Sequence, residues 1–221
     1  SLSGSVDTTG LVSADASYAS TTRDQTDTTY RNSRVMAGNG AITIKSTGDT
    51  TVRGANVEGQ AVAIDTGDGD LIVESVQNTS TMDSDSKQLS AGISVGAGTS
   101  GRFNVGKETA SSDRKWVDNQ TTIVGSESVT VKTNTLKNTG AVIAHAARDE
   151  EGELQEMGDN LSVTAEKLVM ADITDTDVAE TKGGSFGMGG TVATIGVTDK
   201  GHEKEQITRA TIGKGTLIVA G

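Results

Sequence analysis

Groups of two or three acidic residues are the strongest candidates for chemistry in this sequence. They are Asp68 and Asp70, Asp83 and Asp85, and Asp172, Asp175 and Asp177. Two or three carboxylates that face one another on neighbouring strands could act as general acid and base in the cleavage of a polysaccharide. These aspartates fall where the pattern predicts corners, and Asp is favoured in turns for its own backbone hydrogen bonding. We therefore expect a structural role for them.

Other site chemistries have weaker signals. His145 and His202 lie far apart in the sequence, and neither has a partner at metal or triad spacing, so both are expected at the surface. The segment Gly67 to Leu71 resembles one degenerate copy of a calcium nonapeptide repeat, which needs several tandem copies to complete a coordination shell. There is no Cys and hence no thiolate nucleophile. We predict no catalytic residue, no cofactor-binding residue and no metal ligand, and therefore no cofactor and no enzyme activity.

The composition is unusual for a globular domain. The 221 residues include 28 Gly, no Pro, no Cys and five aromatic residues, and the net charge is -11. At an ordinary Pro frequency of about 5%, roughly eleven Pro residues are expected. An acidic chain repels phosphate backbones and anionic headgroups, so nucleic-acid binding is excluded. The strand-like start at Ser1, without Met, predicts that the sequence is a fragment of a longer protein.

Two periods are visible in the sequence. A Gly followed by two alternating aliphatic residues recurs at Gly38, Gly125 and Gly213, which lie 87 and 88 residues apart. Within the first unit, Ile42 and Ile44 are followed by Val62 and Ile64, and Val52 is followed by Ile72 at the same step. Gly-Asp and Gly-Asn corners lie between these short alternating runs.

Short strands joined by corners at a step of about 20 residues predict a parallel β-solenoid in an all-β chain, because a fixed short period is the signature of a repeat fold. Each coil of a solenoid is hydrogen-bonded to the coils above and below, so a Pro almost anywhere would remove a ladder bond. The thin interior is filled by Val, Ile, Leu and Ala. The solenoid coils are expected at residues 34–88, 121–182 and 209–221, with Arg148 to Glu156 as a charged insert in one coil.

Three Gly/Ser-rich stretches do not fit a coil of this length, and we expect them to form arms or β-hairpins at residues 1–33, 89–120 and 183–208. Turns are expected near Asp7 to Gly10 and near Thr99 to Gly101. All five aromatic residues lie in these arms. Either the arms pack along the solenoid flank, or their alternating small and apolar residues insert into a bilayer or pair with another strand edge.

The successive segments 38–44, 48–57 and 69–75 resemble the haemagglutinin repeats of filamentous-haemagglutinin-type exoproteins of bacterial two-partner secretion. The ending 210–219 is similar to the haemagglutinin-repeat region that precedes the C-terminal toxin of contact-dependent growth-inhibition (CdiA-type) effectors. The resemblance implies a right-handed parallel β-helix in a secreted, cell-surface stalk. It also implies a cognate outer-membrane transporter, contact with a target-cell surface, and support for toxin delivery. An adhesin stalk of the same secretion class is the alternative.

Overall fold

The computed structural model describes residues 1–6, 12–96 and 98–220, and its regular elements are all strands. The prediction of an all-β chain is therefore confirmed. The strands are β1 (Leu2–Val6), β2 (Val12–Thr28), β3 (Ser33–Met36), β4 (Ala41–Lys45), β5 (Thr50–Arg53), β6 (Ala55–Asp65), β7 (Leu71–Glu74), β8 (Asn78–Val95), β9 (Thr99–Trp116), β10 (Thr122–Thr139), β11 (Val142–Arg148), β12 (Leu154–Glu156), β13 (Leu161–Ala171), β14 (Ile173–Gly189), β15 (Val192–Thr208), β16 (Thr211–Ile212) and β17 (Thr216–Val219).

The chain divides into two compact units. The hairpin unit contains residues 1–27, 79–114 and 176–204, and the coil unit contains residues 28–78, 115–175 and 205–221. Among the described residues, no helix has the length and apolar character that a bilayer crossing needs.

Parallel strand pairs build the coil unit as a curled open sheet with three stacks. The first stack follows the order β3, β6, β10, β11, β16, the second follows β4, β6, β10, β13, β17, and the third follows β5, β7, β10, β13. The long strands β6 and β13 each take part in two stacks, and β10 takes part in all three. Within β10 the register shifts between Gly125 and Ser128, where a Cβ on Gly125 would lie 2.1 Å from the Ser128 carbonyl oxygen.

Aliphatic side chains in register form the core of the coil unit. Ile42 pairs with Val62 and Ile44 with Ile64, as the repeated step in the sequence predicts. Equivalent positions of successive strands are buried one above another, and the fully buried examples include Val62, Ile64, Leu71, Val73, Ile123, Val129, Val131, Leu136, Ile143 and Val163. Burying a side chain of this size stabilises the fold by about 1.5–3 kcal/mol.

Two predicted alignments in the coil unit are wrong. Val52 pairs with Val73 and not with Ile72, because the step in the third stack is longer by one residue than in the second. The Gly213 pattern predicts that Leu217 lies level with Val129. Leu217 instead pairs with Val163, which pairs with Val131, two residues further along β10. The repeat spacing therefore predicts which strands lie in the same stack, but not which residues pair.

The hairpin unit is a six-stranded sheet in the order β1, β2, β8, β9, β14, β15. Residue numbers rise along one strand as they fall along its neighbour. In β2 and β8, for example, Thr21 contacts Ser86 and Asp27 contacts Ser80. The sheet is therefore antiparallel, and the parallel arrangement predicted for the solenoid is restricted to the coil unit. The strand pairs β1–β2, β8–β9 and β14–β15 are three hairpins placed side by side.

The turn predicted near Thr99 to Gly101 is wrong, because these residues begin β9. The β8–β9 connection lies at 96–98, where the Gly96 amide donates to the Gly98 carbonyl. The turn predicted near Asp7 to Gly10 lies outside the described residues.

Candidate functional site

A buried carboxylate lies in the coil unit, at the base of two hairpins. Asp175 has no exposed surface, and its Oδ1 accepts from Gln77 Nε2 at 2.8 Å and from the Val117 amide at 3.0 Å. Its Oδ2 accepts from Thr208 Oγ1 at 2.6 Å and from Gln206 Nε2 at 3.0 Å. One side chain thus connects the segment before β8, the residue after β9 and the end of β15.

Burial of the Asp175 carboxylate opposes ionisation, but the hydrogen bonds from Thr208, Gln77, Gln206 and the Val117 amide outweigh that effect. The pKa of Asp175 is therefore lowered from its usual value. The side chain is a charged acceptor for four donors, an arrangement that holds the backbone in place.

The same arrangement occurs one repeat earlier with an amide. Asn78 Oδ1 accepts from the Tyr30 amide at 2.6 Å, and Asn78 Nδ2 donates to Asp118 Oδ2 at 2.5 Å. Tyr30 and Val117 lie 87 residues apart, the period of the sequence. Asn78 and Asp175 therefore occupy equivalent places in two repeats, and we call these two residues the junction acceptors.

Amide side chains also join one repeat to the next. Asn32 Nδ2 donates to the Gln120 carbonyl at 3.0 Å, and Gln120 Nε2 donates to the Arg209 carbonyl at 2.8 Å. Asn32 Nδ2 also donates to Asn56 Oδ1 and Gln120 Nε2 to Gly140 O, both at 2.8 Å. The residues that follow each hairpin are thus hydrogen-bonded to those that follow the next.

An ion pair fixes the charged insert of the coil unit. Arg148 at the end of β11 donates from Nη2 to Glu58 Oε1 at 2.6 Å and from Nε to both carboxylate oxygens at 3.1 Å. Arg148 Nη1 also donates to the Gly152 carbonyl at 2.7 Å. Burial opposes ionisation of Glu58, but the Arg148 and Thr122 hydrogen bonds leave its pKa lowered. The insert is therefore held by a two-pronged charged contact.

The acidic candidates are mostly paired with bases. Asp70 Oδ2 accepts from Lys137 Nζ at 2.8 Å, and this contact, with hydrogen bonds from Thr135 and Asn134, lowers the pKa of Asp70 to about 2. Lys107 Nζ lies 3.3 Å from Asp85 Oδ2.

Near the third hairpin, Asp172 Oδ2 lies 3.9 Å from Arg209 Nη1, and Asp177 Oδ1 lies 3.4 Å from His202 Nε2. The expectation that the aspartates occupy corners is wrong for Asp83, Asp85, Asp175 and Asp177, which lie within β8 and β14. Asp68 lies in the turn before β7, as predicted.

The two histidines differ. His202 is half exposed, whereas His145 in β11 has only 6% of its surface exposed, so the prediction of a surface position is wrong for His145. The coil stack buries it: His145 Nε2 lies 3.2 Å from the Ser126 carbonyl oxygen, while Nδ1 is buried without a hydrogen-bond partner. Among the described residues, no group of three acidic or histidine side chains is placed to hold a metal ion.

The hairpin unit has one apolar face near the hairpin tips. Alternate residues of its strands point to this face, and the larger ones are Leu2, Val12, Tyr18, Leu89, Ile93, Val95, Phe103, Val105, Phe186, Met188, Ile195 and Val197. All of them are exposed, from 37% for Phe186 to 85% for Leu2. The opposite face carries polar residues, among them Asp15, which accepts a hydrogen bond from Arg102. We call the first surface the apolar face.

The coil unit and the hairpin unit combine short parallel strands with inserted Gly/Ser-rich hairpins, and residues 1–89 of the chain match the model of the hemagglutinin repeat family. The chain is also similar to the deoxyribonuclease CdiA of Yersinia pseudotuberculosis serotype O:3 (strain YPIII), with 27% identity over 208 residues. That alignment covers 87% of this chain and 19% of the relative, so the chain spans about a fifth of the length of the protein it matches. No solved structure matches the chain.

These matches confirm the predicted resemblance to the haemagglutinin-repeat region of CdiA-type exoproteins. They also confirm the predicted location, because exoproteins of this type are secreted and associated with the cell surface. The deoxyribonuclease activity in the name belongs to the relative, and toxin function in such proteins was predicted to lie outside the repeat region.

The junction acceptors were missed by sequence reasoning, which assigned Asp175 to a corner. The 87-residue offset relates only their donors, because Asn78 and Asp175 themselves lie 97 residues apart. Tyr30 and Val117, which donate to Asn78 and Asp175, are separated by that offset.

Proposed function

We propose that this chain is a structural stalk segment of a two-partner-secretion exoprotein and that it supports delivery of a C-terminal toxin into neighbouring bacteria. In this proposal the coil unit is a right-handed parallel β-helix, and the arms predicted at residues 1–33, 89–120 and 183–208 are functional appendages. The cognate outer-membrane transporter and the target-cell surface are the partners.

The observation that carries the proposal is the content of one sequence repeat. Between Tyr30 and Val117 the chain completes two coils, residues 33–53 and 55–74, and then one hairpin, β8–β9. A repeat of this kind adds length through the coils and adds exposed surface through the hairpin. The coils alone would suffice for a spacer, so the regular hairpins indicate a second task.

The contacts at the hairpin bases support the same function. The junction acceptors and the amide contacts of Asn32 and Gln120 fix the strand ends at each hairpin base by buried or half-buried hydrogen bonds within the coil unit. Such contacts set where a hairpin begins and ends, and they would be unnecessary for a flexible loop.

The proposal is tested in the full-length exoprotein with two deletions. Removal of residues 38–124 takes out one repeat, two coils and one hairpin, and joins Ala37 to Gly125 in the same phase. Removal of residues 79–114 takes out the β8–β9 hairpin alone and leaves the coils. Surface display, binding of producer cells to target cells, and killing of target cells are then measured.

We expect the one-repeat deletion to keep display and most killing, because the remaining repeats are unchanged. The hairpin deletion should keep display and cell binding but reduce killing at least tenfold. Undiminished killing after removal of residues 79–114, which leaves two coils without their hairpin, would contradict the proposal, whereas the one-repeat deletion leaves every remaining pair of coils with its hairpin. Loss of cell binding as the primary defect would assign the segment to an adhesin.

A further inference from the structure

We propose that the apolar face is the interface of a homodimer in which the hairpin sheets of two copies pack face to face. The proposal does not depend on toxin delivery. It starts from the exposure of the face: twelve large apolar side chains on one surface exceed what a soluble monomer usually leaves uncovered.

The size of the face suits a stable dimer. Six strands about 4.8 Å apart, each contributing about seven residues of about 3.4 Å, give roughly 700 Å² per copy. Two such faces bury about 1,400 Å², which lies within the range of specific protein interfaces.

The distribution of large and small side chains favours a second copy of the same face. One row across the sheet contains Leu2, Ala16, Ala91, Phe103, Met188 and Ala193. A twofold axis along the strand direction reverses the order of strands, so β8 of one copy lies over β9 of the other and β2 lies over β14.

Each large side chain in that row then meets a small side chain of the second copy, and each small side chain meets a large one. Ala91 faces Phe103 of the second copy, Ala16 faces Met188, and Leu2 faces Ala193. The small residues form the floor of an open depression of about 510 Å³ on this face, and Phe103 and Met188 line its side. Large side chains of one copy therefore fill the depression of the other, as in aligned sheet packing.

In the next row the same rule holds for the central pair. In it Ile93 lies beside Gly101 in the hairpin and Ala14 lies beside Ile93. Under the same axis Ile93 faces Gly101 of the second copy, so a bulky side chain again meets a position without one.

Charge argues for protein and against lipid as the occupant. Below the apolar rows, the same face carries charges of both signs, with Lys107 and Lys87 each close to Asp85 and Lys182 close to Glu180. An apolar centre with a mixed polar rim is the usual composition of a protein interface. The whole chain carries a net charge of -11, which opposes adsorption to anionic lipid.

The test measures the molecular mass of the 221-residue chain by analytical ultracentrifugation, with two matched variants of adjacent residues on β9. Phe103→Glu places a charge on the apolar face, and Asn104→Glu places the same charge on the opposite face. The wild type should dimerise with a Kd at or below about 10 µM, Phe103→Glu should weaken that dimer about 100-fold, and Asn104→Glu should change it less than about threefold.

Ile93→Glu is the second variant, because Ile93 is 58% exposed within one copy. Circular dichroism verifies that all variants keep their β-sheet signal. A wild type that stays monomeric up to about 100 µM, or a dimer that survives both apolar-face substitutions, would overturn the proposal. A monomer that floats with phosphatidylethanolamine and phosphatidylglycerol vesicles, and loses this binding in Phe103→Glu, would assign the face to lipid instead.

Discussion

Asp175 offers the most direct test of how the hairpin bases are held. Replacing it by Ala removes all four hydrogen bonds and leaves the Val117 amide and the Thr208 hydroxyl buried without their acceptor. An unsatisfied buried donor costs about 1–3 kcal/mol, and hydrogen bonds to a charged group contribute about 1.5–3 kcal/mol each, so we expect Asp175→Ala to lower the free energy of unfolding by about 3–5 kcal/mol.

The preceding repeat supplies a matched variant. Asn78 performs the equivalent task with a neutral amide, and its Oδ1 accepts from the Tyr30 amide. Asp175→Asn can therefore keep the bond from the Val117 amide while losing charge and one acceptor oxygen. We expect it to cost about 1–2 kcal/mol, clearly less than the Ala variant.

Urea unfolding followed by fluorescence measures both changes. Trp116 is the single Trp of the chain and precedes Val117 directly, so its emission reports on this junction. Hydrogen exchange of the Val117 amide gives a local measurement. The reasoning would be refuted if Asp175→Ala unfolded at the same urea concentration as the wild type with equal protection of the Val117 amide, or if the two variants were equally unstable.

Three further changes test other parts of the structure. Leu136→Ala, which empties a fully buried position, should cost about 2–5 kcal/mol, while Met170→Ala at an exposed position of the same stack should cost less than about 0.5 kcal/mol; urea unfolding compares them. Arg148→Ala should speed proteolytic cleavage of the charged insert about tenfold, equivalent to ~1.4 kcal/mol, with a smaller effect for Glu58→Gln; fragment analysis by mass spectrometry locates the cut. Because the pKa of Asp175 is lowered in the folded state, its contribution is complete above the unfolded value of about 3.9 and is lost as the pH falls below it, so Asp175→Asn should show a flatter loss of stability in acid.

The coils could be predicted because their information is local. Alternation of aliphatic residues over three to five positions selects the buried side of a strand, and Ile42, Ile44, Val129 and Val131 all pair in the predicted layers. The register is decided by the number of residues in each corner, because one residue more or fewer shifts every pair in the strand that follows. This is why Val52 was placed one residue from its true partner.

The hairpin sheet could be predicted only in outline. Small and apolar residues alternate in each arm, which indicates strands, but the sheet forms between arms, through partners such as Thr21 and Ser86 that lie 65 residues apart. Burial of polar groups was equally out of reach. His145 and Asp175 look like surface residues beside their polar neighbours, and only the strands stacked above and below bury them.

The 87-residue period has a geometric reason in strand spacing. Adjacent strands lie about 4.8 Å apart in any sheet, so two coils add about 9.6 Å to the stack of the coil unit, and the two strands of one hairpin add about 9.6 Å to the width of the hairpin sheet. Both sheets therefore grow by the same increment in each repeat. The contacts agree, since the pair Thr21 and Ser86 recurs in the next hairpin as Glu108 and Gly183, at the equivalent positions of β9 and β14.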